Sequence, residues 1–234
     1  MDNPTQSAIV KPMEHDSDIL IVGGGLNGPA LALALAQSGL TVTVIDSLSE
    51  TVRKNAAFDG RAYALAVSSV RLLRAIGIWG KVAEHGQPML DIKVSDGRAG
   101  EGASPFFMHF DHAEIEEGPM GYMLEDRYLR RAFLEAMKDT PGITQIRDTV
   151  TAQEVDAQGA RVTLASGKTL AARLLVGSDG RASGTAQRAG IQRTGWGYGQ
   201  TALVAAIEHE LPHHGVAHQF FMPPGPLAIL PLPG

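Results

Sequence analysis

Three glycines and one aspartate carry the clearest chemical signal in this chain of 234 residues. Gly23-Gly24-Gly25-Leu26-Asn27-Gly28 fits the pattern G-x-G-x-x-G, and Asp46 follows eighteen residues beyond Gly28. That spacing suits a dinucleotide pyrophosphate. Gly23 permits a tight turn, Gly25 lets the backbone approach the phosphates, and Gly28 lets the next helix pack closely on the strand before it. A helix opening at this point offers free N–H groups and the positive end of its dipole. Asp46 can accept hydrogen bonds from ribose hydroxyls, and its charge opposes a 2′-phosphate there. The pattern alone leaves FAD and NAD open, because both use it.

The elements needed to place these residues are legible around them. Residues 18–22 read as a short buried strand ending at Gly23, and 29–38 as a helix with Gly39 as its left-handed cap. Residues 40–45 form a second β-rich run ending at Asp46. Strand, helix and strand make a βαβ unit with parallel strands. Further on, 68–78 has helical spacing through Val70, Leu73 and Ile76, and 91–95 and 106–110 look like strands. Residues 126–138 are helical, with Leu129, Phe133 and Met137 four apart and Pro141-Gly142 after them. From 143 to 176 short β runs with turns at Ala157-Gln158-Gly159 and Ser166-Gly167 predict an antiparallel meander. Leu174-Leu175-Val176 then forms an apolar strand before Gly177-Ser178-Asp179-Gly180, and 201–207 and 219–222 read as strands. The final twelve residues hold five prolines and two glycines.

Composition narrows the functional classes. Hydrophobic residues are 44%, charged residues 19% and the formal net charge is −5, which is ordinary for a globular protein and argues against nucleic-acid binding. There is no cysteine, so disulfides, thiolate catalysis and cysteine-held metal are excluded. Residues 1–17 read as a disordered lead-in without the apolar core of a signal peptide. The apolar run 30–36 is far too short to span a membrane. A soluble, cytoplasmic protein is expected, with peripheral attachment to a membrane or a biosynthetic complex left open. His209, His213, His214 and His218 sit in a β-rich stretch with Pro212, which favours a solvated loop over a metal site. Glu114, Glu116 and Glu117 read as an acidic surface stretch, and no G-x-S-x-G hydrolase motif occurs.

Three further segments resemble the FAD-dependent aromatic hydroxylases of the para-hydroxybenzoate hydroxylase group. Phe58-Asp59-Gly60-Arg61-Ala62-Tyr63-Ala64-Leu65 is similar to their second signature, and LLVGSDGRASGTAQRAGI from Leu174 to their Asp-Gly motif. Residues 198–205 and 225–232 resemble the substrate-domain strands of the branch that hydroxylates 2-polyprenylphenols for ubiquinone. The resemblance spans 18–234. It implies an α/β fold: a Rossmann-like FAD-binding domain with a β-meander, plus part of an antiparallel substrate-domain sheet. It implies an FAD-binding domain over 18–80 and 120–195, and a partial substrate-binding domain over 81–119 and 196–234.

The resemblance also implies roles. Gly23, Gly25 and Gly28 would hold the FAD pyrophosphate, and Asp46 the adenosine ribose. Arg61 and Arg127 would contact the phosphate and ribityl region, and Asp179 would belong to the motif serving FAD and NAD(P)H. The substrates implied are a polyprenylated phenol, molecular oxygen and NAD(P)H, with no catalytic side chain assigned. Two departures stand out. Ala186 occupies the place where the group usually has an Arg three residues after the motif serine, with Arg188 two residues later. The group's later Gly-Asp-Ala segment has no counterpart, since no Gly-Asp dipeptide occurs in the chain. A truncated, N-terminal part of such an enzyme, inactive by itself, is therefore expected. Other flavoenzymes of the same fold, such as halogenases or lipid reductases, and a non-catalytic binding module, are the alternatives.

Overall fold

The computed structural model describes residues 14–102 and 104–233. In chain order the elements begin with β1 (Ser17–Val22), α1 (Asn27–Gln37), β2 (Val42–Asp46), α2 (Glu50–Arg53), β3 (Ala62–Ala66), α3 (Val67–Ala75) and α4 (Trp79–Val82). There follow β4 (Gln87–Met89), β5 (Asp91–Asp96), β6 (Met108–Asp111), β7 (Gly121–Glu125), α5 (Asp126–Asp139), β8 (Ile143–Arg147), β9 (Val150–Asp156) and β10 (Gly159–Leu164). The last are β11 (Thr169–Gly177), α6 (Gly184–Arg188), β12 (Val216–Met222) and β13 (Gly225–Ile229). They divide into two compact units, residues 1–49 with 137–195 and residues 50–136 with 196–234. Segments 50–80 and 120–136 thus pack in the second unit, whereas the resemblance groups them with the cofactor domain.

The first unit is built on one six-stranded sheet in the order β8-β2-β1-β11-β10-β9. β1 lies centrally, parallel to β2 on one side and to β11 on the other. Leu20, Ile21, Val42, Val44 and Ile45 are almost wholly buried, which is why these strands read as continuous apolar runs. On one face Leu20, Val22 and Ile45 pack with Val162, Leu164 and Leu170 from the outer strands. Each buried aliphatic side chain contributes roughly 1.5–3 kcal/mol. α1 packs against β1 and β2, giving the expected βαβ unit.

Three expectations need correction here. β8 is not part of a meander: it pairs parallel to β2, from Val42↔Ile143 to Asp46↔Arg147. Only β9, β10 and β11 form the antiparallel meander. Its third strand runs unbroken through Leu174 to Gly177, because one half pairs with β10 and the other half continues beside β1. The lead-in is ordered from residue 14 onward as far as it is described; residues 1–13 lie outside the described residues. Asp16 donates its N–H to Ala171 O at 2.9 Å and accepts the Ala171 N–H at 2.8 Å, which ties it to the sheet.

The second unit holds a three-stranded sheet, β3-β7-β4, and a four-stranded sheet, β13-β12-β5-β6. Residues 201–207 are not a strand. Leu203 and Val204 are almost fully exposed and no strand lies beside them among the described residues, so their β propensity finds no ladder. Within the proline-rich end, β13 forms a hairpin with β12 around Pro223-Pro224. Pro226 fits because β13 is an edge strand, where a missing N–H costs no ladder bond.

Candidate functional site

The glycine turn lies at the carboxyl ends of the parallel strands, where open α/β sheets bind their ligands. Gly23 N–H donates to Ile45 O at 2.8 Å and Ser178 N–H to Val22 O at 2.7 Å, so the turns after β1 and β11 are stitched to the ends of their neighbours. Gly23 has φ +111°, and a Cβ there would run into the Ser178 carbonyl. A Cβ on Gly28 would strike the Gly23 carbonyl, which is the close helix–strand approach expected of it. Gly25 differs from both: among the described residues its Cβ would meet nothing within 4 Å, and the residue is exposed. α1 begins at Asn27 with no side-chain cap, and the N–H groups of Asn27 and Gly28 have no intrahelical acceptor, whereas Ala30 N–H already donates to Leu26 O at 3.1 Å. The turn is thus packed tightly behind and open in front.

Asp46 braces the same turn. Its Oδ2 accepts the Gly24 N–H at 2.5 Å and its Oδ1 the Leu48 N–H at 2.7 Å. Each oxygen keeps lone-pair capacity for a further donor. Asp179 closes the other side of the turn. Its Oδ1 accepts the Ser183 hydroxyl at 2.5 Å, and its Oδ2 accepts both the N–H and the hydroxyl of Thr185 at 3.0 Å. Burial opposes its ionised form, but the Ser183 and Thr185 hydrogen bonds outweigh it and hold the carboxyl below its ordinary value. Ser183 Oγ in turn accepts the Ala186 N–H at 3.0 Å and caps α6. Arg188 Nε donates to Gln153 Oε1 at 3.2 Å, so this cation is held against β9.

The first unit therefore brings Gly23, Gly25, Gly28, Asp46 and Asp179 to one end of its sheet. Arg61 and Arg127 belong to the second unit. Arg127 is no free surface cation. Its Nε meets Glu125 at 2.6 Å, its Nη1 donates to Ala56 O at 2.9 Å, and its guanidinium lies over the Phe58 and Tyr128 rings. It fastens the segment before β3. Arg61 pairs with Asp59 and Asp126, and Arg130 completes the group. The hydrogen bond from Arg61 pulls the Asp59 carboxyl down to about 2. The burial of Tyr63, together with its hydrogen bond to Asp126, pushes that phenol up. Sequence reasoning missed Asp59, Asp126 and Arg130; the i, i+4 spacing of Asp126 and Arg130 on a helix was the signal available.

Comparison with known proteins agrees with this geometry. A family model described as an FAD binding domain matches residues 16–223. The chain belongs to this FAD-binding family. Ubiquinone hydroxylase UbiL of Rhodospirillum rubrum is 47% identical over 219 residues, covering 93% of this chain and 50% of that protein. The 3-demethoxyubiquinol 3-hydroxylase of Escherichia coli is 32% identical, with 92% and 54% covered. The chain thus spans about half the length of these curated relatives. PqsL of Pseudomonas aeruginosa, 23% identical, shares the fold with a TM-score of 0.63 over 78% of this chain and 47% of its own. Of the histidines near the end, the His213 ring meets Leu232 O at 3.1 Å and accepts the Gly215 N–H at 2.9 Å.

Proposed function

We propose that this chain is the FAD-binding part of a monooxygenase that hydroxylates a polyprenylated phenol on the route to ubiquinone, with NAD(P)H as reductant. The observation that carries the cofactor reading is the turn after β1, tight behind Gly23 and Gly28 and open at Gly25. Among the described residues no heavy atom lies within 4 Å of a Cβ placed on Gly25, which leaves room there for a pyrophosphate, and the uncapped end of α1 offers N–H donors to it. Gly23, Gly25 and Gly28 would hold the pyrophosphate and Asp46 the adenosine ribose. Arg61 and Arg127 would meet the phosphate and ribityl region, and Asp179 would order the turn shared with NAD(P)H. The domain division implied by the resemblance, 18–80 with 120–195 for FAD and 81–119 with 196–234 for substrate, is part of the same proposal.

When bound, the flavin would supply the redox chemistry: phenol, dioxygen, NAD(P)H and a proton become hydroxylated phenol, water and NAD(P)+. The residues of the chain bind, orient and shield; none needs to act as a nucleophile. The substrate reading rests on the resemblance and on relatives named as ubiquinone hydroxylases. No helix among the described residues is long and apolar enough to cross a membrane. A lipid substrate would be met by peripheral docking at a membrane or within a biosynthetic complex.

The test is a coupled assay of the flavin-loaded full-length protein with a prenylated phenol, NAD(P)H and oxygen. Hydroxylated product matching NAD(P)H consumed is the expected result; NAD(P)H oxidation without product, or no flavin absorbance, rejects the reading. Asp46→Ala tests the ribose contact. Loss of hydrogen bonds to a charged acceptor is expected to weaken FAD binding by roughly 1.5–3 kcal/mol. Asp46→Asn is expected to recover only part of that, because it leaves one oxygen where Gly24 and Leu48 now use two. Flavin titration by fluorescence reads both, and unchanged affinity in Asp46→Ala removes the residue from the site.

A further inference from the structure

Arg61 is held between two carboxylates of unequal kind. Asp59, two residues earlier, takes its Nε–H and Nη2–H at 3.0 and 2.5 Å through one oxygen. The side chain of Asp59 is 41% exposed. Asp126, 3.3 Å from Nη2 on the other side, is 2% exposed. Asp126 is itself fixed, by Arg130 Nε at 2.5 Å and by the Tyr63 hydroxyl, which donates to Oδ1 at 2.9 Å. Arg130 reaches on to Asp59 at 3.7 Å. The four groups form a closed ring of alternating charges that sums to zero.

The inequality matters to any anion that approaches Arg61. A guanidinium is a planar fork of donors that suits carboxylate and phosphate alike. Asp59 already fills two of those donors. It lies beside Gly60, at φ +84°, on an exposed turn, and parting it from Arg61 returns a carboxylate to water. Exposed pairs of this type are weak. Parting Asp126 from its partners would strand a charge inside the protein, which is strongly unfavourable. One contact of Arg61 is exchangeable and the other is not.

We propose that Asp126 is a positioning residue that keeps Arg61 aimed, while Asp59 is an internal anion that competes with a phosphate of the flavin cofactor for the same guanidinium. This rests on the reading that Arg61 contacts that phosphate. The two carboxylates then act with opposite sign. Asp59→Asn removes the competing charge but keeps an Oδ1 able to accept the Arg61 N–H, now 3.2 Å away, so the turn is preserved. Flavin should bind more tightly. Asp126→Asn retains an acceptor for Tyr63 but removes the charge that opposes Asp59, so Arg61 is surrendered to its exposed partner. Flavin should bind more weakly. A ring that served only to stabilise the fold would give weaker binding, or none, in both.

The experiment is fluorescence titration of FAD into the apoprotein, with the melting temperature of each apoprotein recorded beside it. Asp59→Asn is expected to bind FAD roughly threefold more tightly, the scale of an exposed ion pair. Asp126→Asn is expected to bind it roughly tenfold more weakly, the scale of a charge-assisted contact. If Asp126→Asn fails to fold, the Asp59 arm decides alone. Arg61→Met separates the two layers. Unchanged affinity in Arg61→Met overturns both the Arg61 assignment and the competition. Weaker binding in Arg61→Met, with no gain from Asp59→Asn, overturns the competition and leaves the assignment standing. The gain from Asp59→Asn must also vanish when combined with Arg61→Met; persistence of the gain means that Asp59 acts through general charge and overturns the proposal.

Discussion

Gly23→Ala is expected to destabilise the first unit by about 3–5 kcal/mol, the sum of backbone strain and a steric overlap that cannot relax cheaply. The residue sits at φ +111°, a conformation that side chains other than glycine rarely adopt. The added methyl group would meet the Ser178 carbonyl and the Asp179 N–H, which are backbone atoms anchored by the Ser178–Val22 hydrogen bond. Neither can move without breaking the register between β1 and β11. A loss of that size is a large share of the ~5–15 kcal/mol that stabilises a domain. Gly25→Ala is the contrasting variant. Gly25 is outside the positive-φ region and its Cβ would enter open space, so apoprotein stability should change by less than about 0.5 kcal/mol. FAD affinity should nevertheless fall tenfold or more, about 1.4 kcal/mol, because the methyl group would occupy the space proposed for the pyrophosphate. Chemical denaturation and flavin titration of the two variants are the measurements. Equal stability loss in both would show that the turn is only structural; unchanged affinity in Gly25→Ala would remove the pyrophosphate from it.

The second large effect concerns the substrate. In the full-length protein, a prenylated phenol should be hydroxylated with a kcat/KM at least about a hundredfold above that of its tail-less analogue. Each buried CH₂ contributes about 0.8 kcal/mol, so a single isoprene unit that is fully enclosed supplies roughly 3 kcal/mol. Several units would dominate binding. The polar ring, by contrast, must be aimed at the flavin and contributes orientation more than affinity. The comparison is made at saturating NAD(P)H and oxygen by measuring hydroxylated product. If the tail-less phenol is hydroxylated equally well, the ubiquinone assignment gives way to a small-phenol hydroxylase, and the FAD reading is untouched.

The fold was legible where the signal is local. β1, α1 and β2 follow from a short apolar run, a glycine turn and a helix capped by Gly39 at φ +85°, all within thirty residues. α5 follows from apolar residues spaced four apart, with Leu129, Phe133 and Met137 all buried. Pairing partners were not legible. β8 resembles the first run of a meander, yet it joins β2 in parallel across nearly a hundred residues of chain. Residues 201–207 have the composition of a strand and none of the neighbours of one. Composition states what a segment can do; hydrogen bonding in a sheet depends on what lies beside it.

The candidate site divides in the same way. G-x-G-x-x-G, the acid at Asp46 and the Asp-Gly turn at Asp179 are sequence-local, because each must present backbone or a carboxylate at the end of one strand. The amino-acid sequence by itself determined these, along with the absence of thiol chemistry and the family resemblance. Tertiary structure decided what enforces Gly23, since its Cβ would clash with the Ser178 carbonyl, which arrives from the turn after β11. It also decided the company of Arg61. Asp59 is two residues away in sequence, but Asp126 and Arg130 come from a helix more than sixty residues later. Charges attract through space and not along the chain, so a ring of four ionised side chains has no signature until β3 and α5 are packed together.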